Sequence, residues 1–216
     1  MKREHARRAA AGGGAVLAAV ALGPFIRVTL LVSGAVLLAR ALANLPLKRL
    51  LGAEAGRGAV SIRKTLTVGA PVGEVFDLWS RPVNFPRFMS HVEEVQRVSD
   101  RRSRWTVRGP AGMPVHWQTE LVAVVPNELI VWRTVAGSPV EHAGIVRFQP
   151  TAEGATRIDV RMSYTPPAGA VGHGVAAALG RDPKQTMDQD LVRLKSLLET
   201  GRTRAHGQVV RREEVA

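Results

Sequence analysis

Apolar and polar residues alternate along most of the chain after residue 60, which is typical of half-buried β-strands. In the first such segment, Val60, Ile62, Leu66 and Val68 fall on one face. Clusters of Gly, Pro, Asn and Asp separate the alternating segments and supply turn signals. The pattern therefore predicts an antiparallel meander with strands at residues 60–68, 91–98, 104–108, 115–125, 129–134, 140–149 and 156–165.

Two segments have helical periodicity instead. The short one, residues 72–80, follows Pro71 and places Val75, Phe76 and Trp79 on one face. The long one, within residues 168–200, repeats apolar side chains at helical spacing and ends before Gly201, a residue typical of helix C-termini. Its apolar positions are Met187, Leu191, Leu194 and Leu198.

A sheet of this size must bury one face, and the C-terminal helix is the element long enough to cover it. We therefore predict an α+β fold of the helix-grip type, in which a curved antiparallel sheet surrounds the long C-terminal helix. A hydrophobic cavity is expected between the two. The folded domain is predicted to span residues 60–201, with a polar and disordered tail at residues 202–216.

Two apolar runs, residues 9–22 and 25–45, precede the strands and are separated by Gly23-Pro24. One helix through both runs would be about 55 Å long, nearly twice a hydrocarbon core of about 30 Å. Residues 1–50 are therefore predicted to form a transmembrane helical hairpin, joined to the domain by a linker at residues 51–59. Basic residues flank both outer ends, so both ends should face the cytoplasm. A cleaved signal peptide and a shallow re-entrant hairpin are the alternatives.

The charge distribution favours this anchor over a nucleic-acid interface. Of the net charge of +12, residues 1–64 carry +9, from eleven Lys and Arg against two acidic residues. A nucleic-acid surface would spread its charge over the folded part, so no nucleic-acid partner is expected. The chain has no cysteine, and its six histidines form no metal-binding pair. Neither a metal nor a cofactor is therefore predicted.

Three stretches resemble the START/Bet v 1-like superfamily, specifically its polyketide cyclase/dehydrase and coenzyme Q-binding branch. They contain Asn84-Phe-Pro-Arg-Phe-Met89, Met113-Pro-Val-His-Trp-Gln-Thr-Glu120 and Leu179-Gly-Arg-Asp-Pro183. The segment ending at Gly52 resembles an inner-membrane hairpin module that is fused to such domains in bacteria. That module often has Cys-Pro where this chain has Leu45-Pro46, so no thiol role carries over. The resemblance implies a bacterial inner-membrane location, with the domain facing the cytoplasm.

Strand alternation indicates an aromatic and aliphatic interior with Thr119 and Tyr164 as its few polar tips. Such an interior suits a hydrophobic ligand, and the resemblance implies binding or transport of a quinone, isoprenoid or acyl lipid. The expected partners are therefore this small molecule or lipid and the membrane. The predicted cavity residues are Phe85, Phe88, Met89, Trp105, Trp117, Thr119, Trp132, Ile158, Val160, Met162, Tyr164, Val175 and Leu179. The glycine-rich segment 169–180 is interpreted either as a mobile flap or as a frayed helix start.

Two other functions are consistent with the same fold. A polyketide cyclase/dehydratase-type enzyme would need an acid or base inside the pocket. Glu120 and Asp159 both fall on outward faces, and no catalytic residue is predicted. The histidines of the domain are expected at the surface: His91, His116, His142 and His173. A protein-interaction module at the membrane is the third hypothesis, for which a closed cavity and an exposed apolar patch would be evidence.

Overall fold

The meander predicted from the alternation is present in the computed structural model, which describes residues 41, 60–109, 112–165 and 183–215. Each strand lies within two residues of its predicted bounds at both ends. The strands are β1 (Val60–Val68), β2 (Val92–Arg97), β3 (Arg102–Arg108), β4 (Pro114–Val125), β5 (Leu129–Thr134), β6 (Glu141–Pro150) and β7 (Thr156–Thr165).

These strands form one antiparallel sheet with the order β1-β7-β6-β5-β4-β3-β2. Chain neighbours pair from β2 to β7, and β1 closes the far edge by pairing with β7 from Val60↔Tyr164 to Val68↔Thr156. The pairing shifts register between Leu121 and Ala123 of β4, an irregularity of the β-bulge kind. The sheet therefore has the meander connectivity that the sequence predicted.

Two α-helices of the described part also agree with the prediction, α1 (Val72–Ser80) and α2 (Pro183–Thr200). Between α1 and β2, Pro82 and Pro86 prevent the α-helix from continuing, and residues 82–87 form a 3₁₀ helix. Helix α2 ends at Thr200, and the next residue, Gly201, has a φ of 71°, the left-handed conformation typical just after a helix C-terminus. The inward faces of both helices are buried, through Val75, Phe76, Leu78 and Trp79 of α1 and Leu191, Leu194, Leu197 and Leu198 of α2.

Helix α2 packs on the concave face of the sheet. Its leucines join Val146, Phe148, Ile158 and Val160 of β6 and β7 in one hydrophobic core. Its C-terminal turn is held to the end of β1, because the amide of Gly69 donates to Glu199 Oε1 over 2.6 Å. The α+β architecture is thus confirmed and agrees with a helix-grip fold.

The predicted anchor and linker, apart from residue 41, lie outside the described residues, as does segment 169–180. Among the described helices, none combines the length and apolar character that a bilayer span requires. The membrane hairpin, its orientation and its boundary therefore stay predictions.

The prediction of a disordered tail at residues 202–216 was wrong. Strands β8 (Arg202–Ala205) and β9 (Gln208–Arg211) form a hairpin immediately after α2. His206 and Gly207 connect them with φ angles of 52° and 77°, as in a two-residue type I′ turn.

The hairpin is ordered because one face of it is apolar and buried. Thr203, Ala205 and Val210 are buried, and both Ala205 and Val210 belong to the hydrophobic core. After β9, Arg212 pairs with Glu74 of α1 and donates to the carbonyl of Leu198 over 3.3 Å. The arginines between these small residues make the segment polar on average, which concealed its alternation.

The turn gives a first prediction. Replacing Gly207 with alanine should lower the free energy of unfolding by about 1 kcal/mol, because a Cβ is unfavourable at positive φ. Gly73→Ala is the matched control, since this glycine lies inside α1 and its new Cβ would lie 3.9 Å from Asn127 Oδ1, an ordinary van der Waals contact. That control should raise stability by up to about 1 kcal/mol. Equal effects in thermal or urea unfolding would contradict the turn assignment.

Candidate functional site

A cavity of about 150 Å³ lies between the sheet and the N-terminal half of α2. Strands β2 to β7, the 3₁₀ helix and the start of α2 all contribute to its wall. Half-buried residues, among them Pro82, Met89 and Met187, contribute to its lining, so the cavity has an open side. A cavity of about this size accommodates a benzene-sized molecule, so it fits one ring rather than a whole lipid.

Most of the predicted cavity residues line this space. They are Phe85, Met89, Trp105, Trp117, Thr119, Trp132, Met162 and Tyr164. Val175 and Leu179 lie outside the described residues. Whether these side chains bind a ligand stays a prediction.

Phe88, Ile158 and Val160 do not line the cavity, which corrects their assignment. Ile158 and Val160 share the inward face of β7 with Met162 and Tyr164, but they lie nearer its start, where the α2 leucines fill the space. Phe88 is fully buried against Phe85, with 5.1 Å between the ring centroids. The hollow therefore lies beside the part of the inward face that the α2 leucines cover.

The aromatic wall of the cavity is held by specific contacts. Trp105 on β3 meets Phe85 edge-to-face at 5.2 Å, and its Nε1 donates to Thr119 Oγ1 over 2.9 Å. Thr119 is therefore already used within the wall. Trp132 on β5 lies across from Gly144 on β6, where the missing side chain leaves room for the indole.

His142 lies in the cavity wall, contrary to the expected surface position. Its side chain is half-buried, and its Nδ1 atom is fully buried. It shares the inward face of β6 with Gly144, Val146 and Phe148, and this alternation could have located it. Burial lowers the pKa of His142 to about 4, so its imidazole is neutral at neutral pH. Its ring meets that of Trp117 edge-to-face at 5.8 Å.

A second titratable group in the wall was also missed. Asp190 on α2 is only 2% exposed, and its Oδ2 lies 3.4 Å from His91 Nδ1. Arg193 approaches the other oxygen, with Nη1 2.9 Å from Oδ1. Asp190 lies three residues after Met187 and four before Leu194, so helical spacing alone places it on the inward face.

Burial perturbs both members of this pair. It raises the pKa of Asp190 to about 7, although the charge and hydrogen bond of Arg193 act in the opposite direction. It also lowers the pKa of His91 to about 4, to which the positive charges of Arg193 and His206 add. The cavity therefore holds a carboxyl group that can be protonated near neutral pH beside a neutral imidazole.

Other polar residues lie outside the cavity as predicted. Glu120 pairs with Arg133 over 2.7 Å, and Asp159 with Arg161 over 3.3 Å. His116 is exposed. Within the described ranges, no group of three or more His, Asp or Glu side chains could hold a metal ion.

The fold and the lined cavity define a helix-grip protein with a hydrophobic cavity, and comparison with known proteins identifies the family. Residues 68–192, more than half of the chain, match the family described as polyketide cyclase / dehydrase and lipid transport. The chain belongs to this family. The membrane module and the coenzyme Q-binding branch lie beyond what this match covers.

Similar proteins include an uncharacterized 17.2 kDa protein of Streptomyces lincolnensis, 30% identical over 64% of this chain and 89% of the relative. The crystal structure of DR_A0006 from Deinococcus radiodurans is 32% identical, with a TM-score of 0.53, over 66% of this chain and 98% of that one. The Zhui aromatase/cyclase from Streptomyces sp. R1128 is 17% identical, with a TM-score of 0.52, over 65% and 96%. At that identity the aromatase/cyclase supports the fold alone.

Proposed function

We propose that this protein binds a hydrophobic small molecule, a quinone, isoprenoid or acyl lipid, and carries or presents it at a membrane. The observation that supports this is the cavity of about 150 Å³ lined by Trp, Phe and Met beside an otherwise packed core. Burying apolar ligand surface contributes about 25 cal/mol per Å², so about 300 Å² is worth several kcal/mol before association costs. A ligand longer than one ring would extend through the open side.

The membrane part of the proposal rests on the sequence. The two apolar runs within residues 9–45 and their basic flanks support a hairpin in the bacterial inner membrane, with the domain in the cytoplasm. In this arrangement the tether gives the cavity a high effective concentration at the bilayer, so modest intrinsic affinity suffices.

A second candidate function is a cyclase/dehydratase-type enzyme, and the pairing of the buried Asp190 with the half-buried His91 favours it. A protonated Asp190 can donate a proton to a leaving hydroxyl group, and a neutral imidazole can accept one. Both side chains line the cavity. Turnover of a hydrophobic aromatic precursor, lost in Asp190→Asn, would support this candidate over simple binding.

Ligand binding can be tested on the full chain. We expect native mass spectrometry to detect a co-purifying hydrophobic molecule, and Met162→Arg to lose at least nine-tenths of it, because a cation would enter the cavity. Met113→Arg is the matched control, since Met113 is 68% exposed. Circular dichroism would verify that both variants fold. A wild-type protein that is empty and binds no added hydrophobic probe would refute the proposal.

The tether makes a separate prediction. The full chain should stay in the membrane fraction after washing with high salt and carbonate, because hydrophobic insertion resists both. A chain beginning at residue 51 should appear in the soluble fraction. Release of the full chain by salt alone would show that charge, rather than insertion, holds it at the membrane.

A further inference from the structure

Two buried side-chain polar atoms of the cavity wall have no hydrogen-bond partner within the described part of the chain. They are Nε1 of Trp117 and Nδ1 of His142. Both side chains belong to inward-facing positions, on β4 and β6, and their rings meet at 5.8 Å with an 83° angle between planes. Buried polar groups are normally satisfied, so two unpaired ones side by side in one wall require an explanation.

The polar side chains that bond to one another around the cavity are not partners for these two atoms. The indole N–H of Trp105 donates to Thr119, and the carboxyl group of Asp190 faces Arg193 and His91. The indole N–H of Trp117 can only donate, so its missing partner must be an acceptor. A neutral His142 adds one further donor or acceptor, according to its tautomer.

Charge and size narrow the identity of that acceptor. The described residues that line the cavity include neither lysine nor arginine, so a carboxylate ligand would enter without a lining cation to offset its desolvation. An uncharged oxygen carries a smaller desolvation cost. The volume of about 150 Å³ fits a single ring.

We propose that Trp117 and His142 form a polar subsite that recognises an uncharged carbonyl oxygen on a ring-shaped hydrophobic ligand. This inference rests on the proposed function, that the cavity binds hydrophobic small molecules. Among the ligand classes considered above, it selects ring carbonyl compounds such as quinones over acyl chains that end in a carboxylate.

Two probes of nearly equal shape test the subsite on the full chain: acetophenone, which carries a carbonyl group, and α-methylstyrene, which carries a methylene group instead. In Trp117→Phe, the affinity for acetophenone should fall about fivefold to tenfold, as for the loss of one hydrogen bond, while that for α-methylstyrene is kept. Trp105→Phe is the matched control, because its N–H is bonded to Thr119 and no bond to the ligand is lost with it. This control should not reproduce the selective loss of affinity for acetophenone.

Nuclear magnetic resonance of the wild-type protein gives a readout that requires no variant to fold. The indole N–H signal of Trp117 should shift downfield with acetophenone and much less with α-methylstyrene. If both probes bind but Trp117→Phe weakens them equally and the signals shift alike, the subsite is overturned and the binding function stands. If neither probe binds the wild-type protein, the binding function itself fails for ring-sized ligands.

Discussion

Replacing Gly144 with alanine is expected to lower the free energy of unfolding by about 3 kcal/mol, because it overpacks the cavity wall. Gly144 on β6 is the register partner of Trp132 on β5, and the indole lies over the glycine. A Cβ at this position would overlap the six-membered ring of Trp132. Both residues belong to central strands of the sheet, so the backbone cannot move apart without breaking ladder hydrogen bonds on both sides.

The clash predicts a specific rescue. In the double variant Gly144→Ala with Trp132→Val, the smaller side chain leaves room for the Cβ, so the two costs should not add. We expect the double variant to be more stable than the sum of the single effects by about 2 kcal/mol, as measured by urea unfolding. Additive costs would mean that the indole can turn away from Gly144 into the cavity at little cost.

The alternative response would itself be informative about the site. If Trp132 rotates into the hollow in Gly144→Ala, the protein should keep its stability but lose affinity for ring-sized probes, because the indole occupies the space. Unfolding and probe binding measured on the same variant therefore show whether the Trp132 indole is held in place or rotates into the cavity. Either result tests the contact between Trp132 and Gly144.

The sheet was predictable from the sequence because the signals for its strands and turns each lie within a short segment. Alternation along each strand and the glycine, proline and asparagine turns are visible in single segments, and the meander follows from short connections. The hairpin after α2 was missed because its inward residues include Thr203 and Ala205, whose small side chains give little hydrophobic signal between arginines. Its His206-Gly207 turn was the signal that could have indicated it.

The cavity was only partly predictable because alternation identifies a face of a strand and not the depth of the space in front of it. Ile158 and Met162 have the same parity on β7, yet the first packs under α2 and the second lines the hollow. The contact of Trp132 with Gly144 depends on cross-strand register, which no single segment encodes. Spacing alone places His142 and Asp190 on inward faces, but His142 was expected at the surface and Asp190 was not considered as a site residue.

Asp190→Asn is expected to stabilise the protein at pH 8 by up to about 4 kcal/mol, since the raised pKa of Asp190 already includes the opposing effect of Arg193. The pKa of Asp190 is raised from 3.8 to about 7, and each unit corresponds to about 1.4 kcal/mol. Between these two pH values the folded protein keeps a proton that the unfolded chain has released. Stability therefore falls as the pH rises through this window, and the loss is complete above pH 7. Asparagine does not titrate, so the variant lacks this decline.

Thermal unfolding from pH 4 to pH 8 would measure this, with Asp188→Asn as the matched control two residues away. Asp188 is half-exposed and pairs with Lys64 over 2.6 Å, so its replacement should change stability by less than about 1 kcal/mol. The gain from Asp190→Asn should shrink steadily toward pH 4. A variant less stable than the wild-type protein at pH 8 would show that Arg193 keeps the carboxylate ionised, contrary to a raised pKa.

A stabilising Asp190→Asn would also bear on function. Selection retains a destabilising buried acid mainly where activity requires it, and perturbed carboxyl groups concentrate in functional sites. If the more stable variant still binds ring-sized probes but loses turnover of an aromatic precursor, Asp190 acts as a proton donor and the enzyme candidate gains support. If it loses probe binding instead, the protonated carboxyl group contacts the ligand, which favours the binding function. Unchanged binding without any turnover in the wild-type protein would leave Asp190 a packing residue whose cost the fold tolerates.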